Sequence, residues 1–123
     1  MPTNLQTENA IPIACDMSAL TPDARVQHER VSRDLFARVD EVRDLPDGYA
    51  FRLLAEHGTL HSAAAWIANE RLCCPFFTFD LRLEPQSATL WLSLTGSKDV
   101  KAFIPFEFSA VLAPALTAAF TSA

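Results

Sequence analysis

Glycine is scarce in this chain, with three among 123 residues at positions 48, 58 and 96, so a phosphate-cradling loop built from closely spaced glycines is excluded. Positive charge is also short. Ten Lys and Arg stand against fifteen Asp and Glu, for a formal charge of -5, and the basic residues are scattered, which argues against nucleic acid and anionic lipid as partners. No apolar run approaches the roughly 20 residues that span a bilayer. The richest stretch, 102–120, is broken by Pro105, Glu107, Ser109 and Pro114. Residues 1–10 lack the basic start and apolar run of a secretion signal, so a cytoplasmic protein is expected. Cys-x-x-Cys pairs, Ser/His/Asp arrangements and paired acidic motifs are missing too, and no motif speaks for an enzyme.

What is present is the composition of a folding chain, since half of the residues are hydrophobic and a fifth are charged. Its length suits one domain over residues 1–123, with 1–10 expected to be disordered and 105–123 to form a C-terminal helical extension. Ile11 to Met17, with Pro12 inside it, reads as an edge strand or an extended arm, and it carries Cys15. Thr21, Pro22 and Asp23 open a helix that should run to about Arg38: a hydroxyl cap, a proline at the first turn and an acid near the positive end. Its alternating acids and arginines suit a solvated face.

Pro46-Asp47-Gly48 punctuates two short apolar segments and predicts a hairpin in which Gly48 supplies a positive φ. Residues 59–73 contain no proline or glycine, and the spacing of Leu60, Ala64, Ile67 and Cys74 predicts a helix with these on its inner side. Phe77, Phe79, Leu81 and Leu83, then Leu90, Leu92 and Leu94, alternate with polar neighbours around Pro85-Gln86-Ser87, giving a second hairpin. Ser97 and Asp99 start a last helical region that Pro105 and Pro114 should kink or divide. The order predicts an α+β fold: a two-layer sandwich whose four-stranded, mainly antiparallel sheet comes from two hairpins, with helices on one face.

The chemistry sits in Asn69-Glu70-Arg71-Leu72-Cys73-Cys74-Pro75. Pro75 disfavours helical backbone at Cys74, so the two thiols fall at a helix-to-strand corner. Adjacent cysteines are too close for an ordinary mutual disulfide, and a cytoplasmic setting makes a lasting bridge between them still less expected. At the negative end of a helix their pKa values should rise unless Arg71 or a cation compensates. A soft metal or metalloid ion supplies that compensation, with Cys15, Cys73 and Cys74 as three sulfur ligands and His57, His61 or Asp16 as guesses for a fourth. Zinc, cadmium, mercury(II) and arsenic(III) are the candidate ions. The bland readings stand beside this one: cysteines that merely pack, Glu70 and Arg71 as a solvated pair, Trp66, Phe76 and Phe77 as core aromatics, and unremarkable His28, His57 and His61.

The run Trp66-Ile67-x-x-Glu70-Arg71-x-Cys73-Cys74-Pro75-Phe76, followed by Phe79-x-Leu81 and Leu92-x-Leu94-Thr95-Gly96, resembles a group of small bacterial proteins of uncharacterised function. The Ala14-Cys15 arm, the Leu20-Thr21-Pro22 helix start and the Leu45-Pro46-Asp47-Gly48-Tyr49 turn are similar to the same group, over about residues 11–103. The resemblance implies a thiol site associated with heavy-metal or metalloid resistance. Three functions are therefore carried forward: a cytoplasmic soft-ion binder, a structural or interaction domain whose cysteines pack and whose apolar 102–120 region pairs with a second copy or another protein, and a thiol-dependent redox protein.

Overall fold

Thr21 opens the first helix with its side-chain oxygen accepting the Ala24 N–H at 3.2 Å, Pro22 is the first helical residue, and Asp23 lies in the first turn. In the computed structural model, which describes residues 13–120, this helix, α1, spans Pro22–Phe36. The disorder expected of 1–10 lies outside the described residues. The described part of the arm that carries Cys15, residues 13–16, is not a strand; it bends at 13 and 14, and Asp16, in extended backbone, leads into a short 3₁₀ turn, Met17–Ala19.

Strands β1, Glu41–Leu45, and β2, Gly48–Leu54, form the first hairpin, and β3, Thr78–Leu83, with β4, Thr89–Thr95, the second. The hairpins join through β2 and β4 into one antiparallel sheet of order β1-β2-β4-β3. This is the α+β fold that the alternation predicts. Gly48, however, does not have a positive φ; among the described residues that backbone belongs to Gln86, at 59°, in the turn between β3 and β4. Gly48 is needed for a different reason: it pairs with Thr95, and a Cβ there would lie 1.9 Å from the Leu94 carbonyl oxygen. Gly48→Ala should therefore pry β2 from β4 and destabilise the protein by about 3 kcal/mol, measurable by urea denaturation. A change under about 0.5 kcal/mol would show that this end of the β2–β4 pair relaxes freely.

Helix α2, His57–Cys73, starts two residues before the predicted 59. Its inner side is Thr59, Ala63, Trp66, Glu70 and Cys73, whereas Leu60 and Ile67 are half-buried and Ala64 is exposed. Apolar residues surround this helix, so periodicity alone selects the wrong strip. Trp66 decides the orientation: it is fully buried, it meets Phe36 with ring centroids 5.1 Å apart, and its Nε1–H donates to Ser32 Oγ at 2.7 Å. Burying an indole contributes more than any competing aliphatic side chain, and its one polar hydrogen is satisfied.

The third helix, α3, spans Lys98–Phe108 and is capped by Ser97. It runs through Pro105 for three more residues, so the break expected there does not occur; Pro114 begins a separate 3₁₀ segment, Pro114–Phe120. Each α-helix sets a ring against the same face of the sheet: Phe36 and Phe108 against Phe51, and Trp66 against Phe79. Leu90, Leu92 and Leu94 are fully buried in the same cluster. No helix of the described residues is long and apolar enough to cross a membrane.

Candidate functional site

Helix α2 ends where Pro75 requires it to end. Cys73 is its last residue, and Cys74 leaves helical geometry at φ -128° and ψ 71° while its N–H still donates to the Glu70 carbonyl at 2.7 Å. The Cys73 carbonyl is thereby left for another donor, and the N–H of Asp16 in the arm takes it at 2.7 Å. That backbone bond, with Ile13 and Met17 packed on the core, lays Cys15 against Cys74. Their Cα atoms are 4.6 Å apart, and the two form a disulfide.

No bridge joins the adjacent Cys73 and Cys74; the reading of three free thiols is corrected by the bridge that the folded arm makes between Cys15 and Cys74. Cys73 keeps a free thiol, buried, with its sulfur 3.8 Å from that of Cys74. All three predicted residues therefore meet at one place.

Beneath the sulfurs lies a buried pair that the sequence does not announce. Glu70 is 5 % exposed and His28, from α1, is 3 % exposed, and His28 Nε2 lies 2.7 Å from Glu70 Oε1. The reading of Glu70 and Arg71 as a solvated pair fails for Glu70, because residue 70 shares the inner side of α2 with Trp66 and Cys73; Arg71 is exposed. Position 70 was legible, standing three residues before Cys73 on the same side of the helix. His28 was not, since it comes from another helix. With a carboxylate as its partner, Nε2 donates, and Nδ1 has no partner among the described residues. Glu70 also faces the sulfurs: ligand atoms of Cys15, Glu70 and Cys74 lie within 4.8 Å of one another, and so do those of His28, Glu70 and Cys73.

The fourth-ligand guesses lie elsewhere. His57 and His61 lie against each other with tilted rings at the start of α2, about 18 Å or more along the helix from Cys73. Asp16 caps the 3₁₀ turn through the Ser18 hydroxyl and N–H, which hold its carboxyl below the usual range.

Above the sulfurs is a cavity of about 540 Å³, with Glu107, Phe103, Phe108 and Val111 from α3 and the turn after it on one wall. Glu107 Oε2 comes within 3.0 Å of Cys15 Sγ. A bridged sulfur has no proton to give, so this contact is a hydrogen bond only when Glu107 is protonated or the bridge is reduced. Although Glu107 as a residue is exposed, partial burial of its carboxyl and then the Glu70 carboxylate push its pKa up.

Burial, then the charge of Glu70 and a hydrogen bond to it, push the Cys73 thiol up to about 12. The direction is the one expected at a helix C-terminus, but burial and Glu70 cause it. The thiolate is the reactive form, and at pH 8 only about one Cys73 in 10⁴ carries it. Alkylation of native protein by iodoacetamide should therefore be about 10³-fold slower than that of a small thiol, and Glu70→Gln should speed it about tenfold by removing the repelling charge. Reaction of the wild type at the small-thiol rate would contradict the assigned environment.

No protein-family model, curated protein or solved structure matches the chain. The fold and the site define an α+β protein in which two segments remote in sequence bring three cysteines to one cavity, backed by a buried carboxylate–imidazole pair.

Proposed function

We propose that the reduced protein binds a soft metal or metalloid ion, from the set zinc, cadmium, mercury(II) and arsenic(III), through Cys15, Cys73 and Cys74. The observation that carries the reading is the convergence of the three sulfurs on one cavity. Two thiolates each about 2.3 Å from a tetrahedral ion lie about 3.8 Å apart. The sulfurs of Cys73 and Cys74 already stand at 3.8 Å. For an ion that takes a fourth ligand, Glu70 is in reach of both cysteine groups and replaces the histidines and Asp16 as the candidate.

The disulfide makes binding conditional. A bridge between Cys15 and Cys74 consumes two of the three ligands, so the bridge and the ion are alternatives. A dithiol reductant opens it by exchange: its two thiols become a disulfide while Cys15 and Cys74 each gain a hydrogen. In a reducing compartment the ligand set is complete. Binding then displaces the thiol protons, and the positive charge of the ion overcomes the resistance of Cys73 to ionisation.

The bridge also favours a second reading, a thiol–disulfide exchange protein with Cys73 as the attacking group. The protonated, buried state of Cys73 weighs against it, because exchange needs an accessible thiolate. The soft-ion reading is tested by titrating reduced wild type and the double variant Cys73→Ser, Cys74→Ser with arsenite or mercury(II); equal weak binding by both would end it.

A further inference from the structure

The cavity is far larger than an ion needs. A water-sized guest fills about 30 Å³, and pockets that hold small organic ligands run from about 300 to about 1,000 Å³. The space above the sulfurs, about 540 Å³, lies in the second range. Its lining is mixed in character. The sulfurs, His28, Glu70 and Glu107 contribute polar groups, while Met17, Phe103, Phe108 and Val111 contribute an apolar surface. Charge narrows the choice further: among the described residues, Glu29, Glu70 and Glu107 line the cavity against the guanidinium of Arg33, so an anionic ligand is repelled.

We infer that this cavity accepts an organic arsenic(III) compound of the form R–As(OH)₂, with arsenic on two cysteine sulfurs and an aryl group R on the apolar wall. The inference rests on the soft-ion reading and names its ligand class. A pyramidal arsenic centre holds two sulfurs side by side, as Cys73 and Cys74 are placed, whereas an organomercury cation bonds linearly to one thiolate and makes no use of the pair. The compound is neutral before and after binding, so the acidic lining does not repel it. The step is R–As(OH)₂ + 2 Cys–SH → R–As(S–Cys)₂ + 2 H₂O. Two As–O bonds break, two As–S bonds form, the thiol protons leave with the oxygens as water, and no atom changes oxidation state.

The aryl group should gain from burial what a methyl group cannot. The test is the partition of phenylarsine oxide and of methylarsine oxide between reduced full-length protein and a small dithiol, alongside inorganic arsenite. The protein should favour the phenyl compound over the methyl one by about tenfold beyond the preference of the small dithiol. Val111→Trp, which fills the cavity from a half-buried position, should bring that ratio close to one. Binding of the methyl compound to the same variant reports that its thiols remain assembled.

Equal partition of the two compounds in wild type, with arsenite still bound, would overturn the inference and leave the soft-ion reading standing. A phenyl preference unchanged in Val111→Trp would also overturn it. Failure of all three arsenicals to bind reduced protein would overturn both.

Discussion

Cys15→Ser should lower the stability of the oxidised protein by about 4 kcal/mol and leave that of the reduced protein within about 0.5 kcal/mol of wild type. The bridge joins residues separated by 59 positions, and closing a loop of that length removes conformational freedom from the unfolded chain that an open chain retains. The magnitude corresponds to a fall in Tm of roughly 15 °C for a protein of this size. Thermal or urea unfolding with and without a thiol reductant separates the causes. A loss that persists unchanged in reductant would mean that Cys15 acts through packing and that the bridge contributes little. Wild type in reductant should fall to the level of the variant, since both then lack the bridge and keep the same other arm contacts, the Asp16 N–H to the Cys73 carbonyl and the packing of Ile13 and Met17 on the core.

The second large effect concerns the ligands. Replacing Cys73 and Cys74 together by serine should weaken binding of arsenite or mercury(II) to the reduced protein by about 10³-fold or more, well beyond the 10- to 100-fold typical of removing an outer-shell partner. Serine oxygen is a hard donor, so the loss should be greatest for the softest ion, mercury(II). Cys73 is fully buried and its thiol is held toward Glu70, so the hydroxyl of serine keeps an acceptor and the variant should fold. Far-ultraviolet circular dichroism and an unfolding curve on the reduced protein check that point. A variant that folds and still binds both ions as tightly as wild type would show that the cysteines only pack.

Much of the fold is legible in residue order because the signals are local. Thr21-Pro22-Asp23 caps a helix whatever lies beyond it, and the strict alternation from Phe77 to Leu83 and from Leu90 to Leu94 can bury only one face of a sheet. The failures are equally physical. In the sequence Gly48 reads as a turn residue, yet the demand on it comes from Leu94 across the sheet, a partner 46 positions away. The inner side of α2 was missed because it includes Thr59 and Glu70, polar residues whose partners, Arg38 and His28, belong to other segments.

The site shows the same division. The meeting of Cys73 and Cys74 at a corner follows from Pro75 alone. The approach of Cys15 depends on a remote arm that packs Ile13 and Met17 on the core and donates the Asp16 N–H to the Cys73 carbonyl, and that contact turns a conjectured ligand set into a bridge. The composition of the cavity, with a buried imidazole and carboxylate on one side and aromatic rings on the other, is a property of three packed helices and could not be read from any one of them.

The most direct test compares the two redox states of one preparation. Arsenite is added to reduced and to oxidised wild-type protein, and bound arsenic is counted by intact mass while free thiols are counted in parallel. One arsenic per reduced chain, with all three thiols masked, and none per oxidised chain is the predicted result. Arsenic bound equally in both states, or reduced protein that keeps three titratable thiols in excess arsenite, would contradict a shared three-sulfur site.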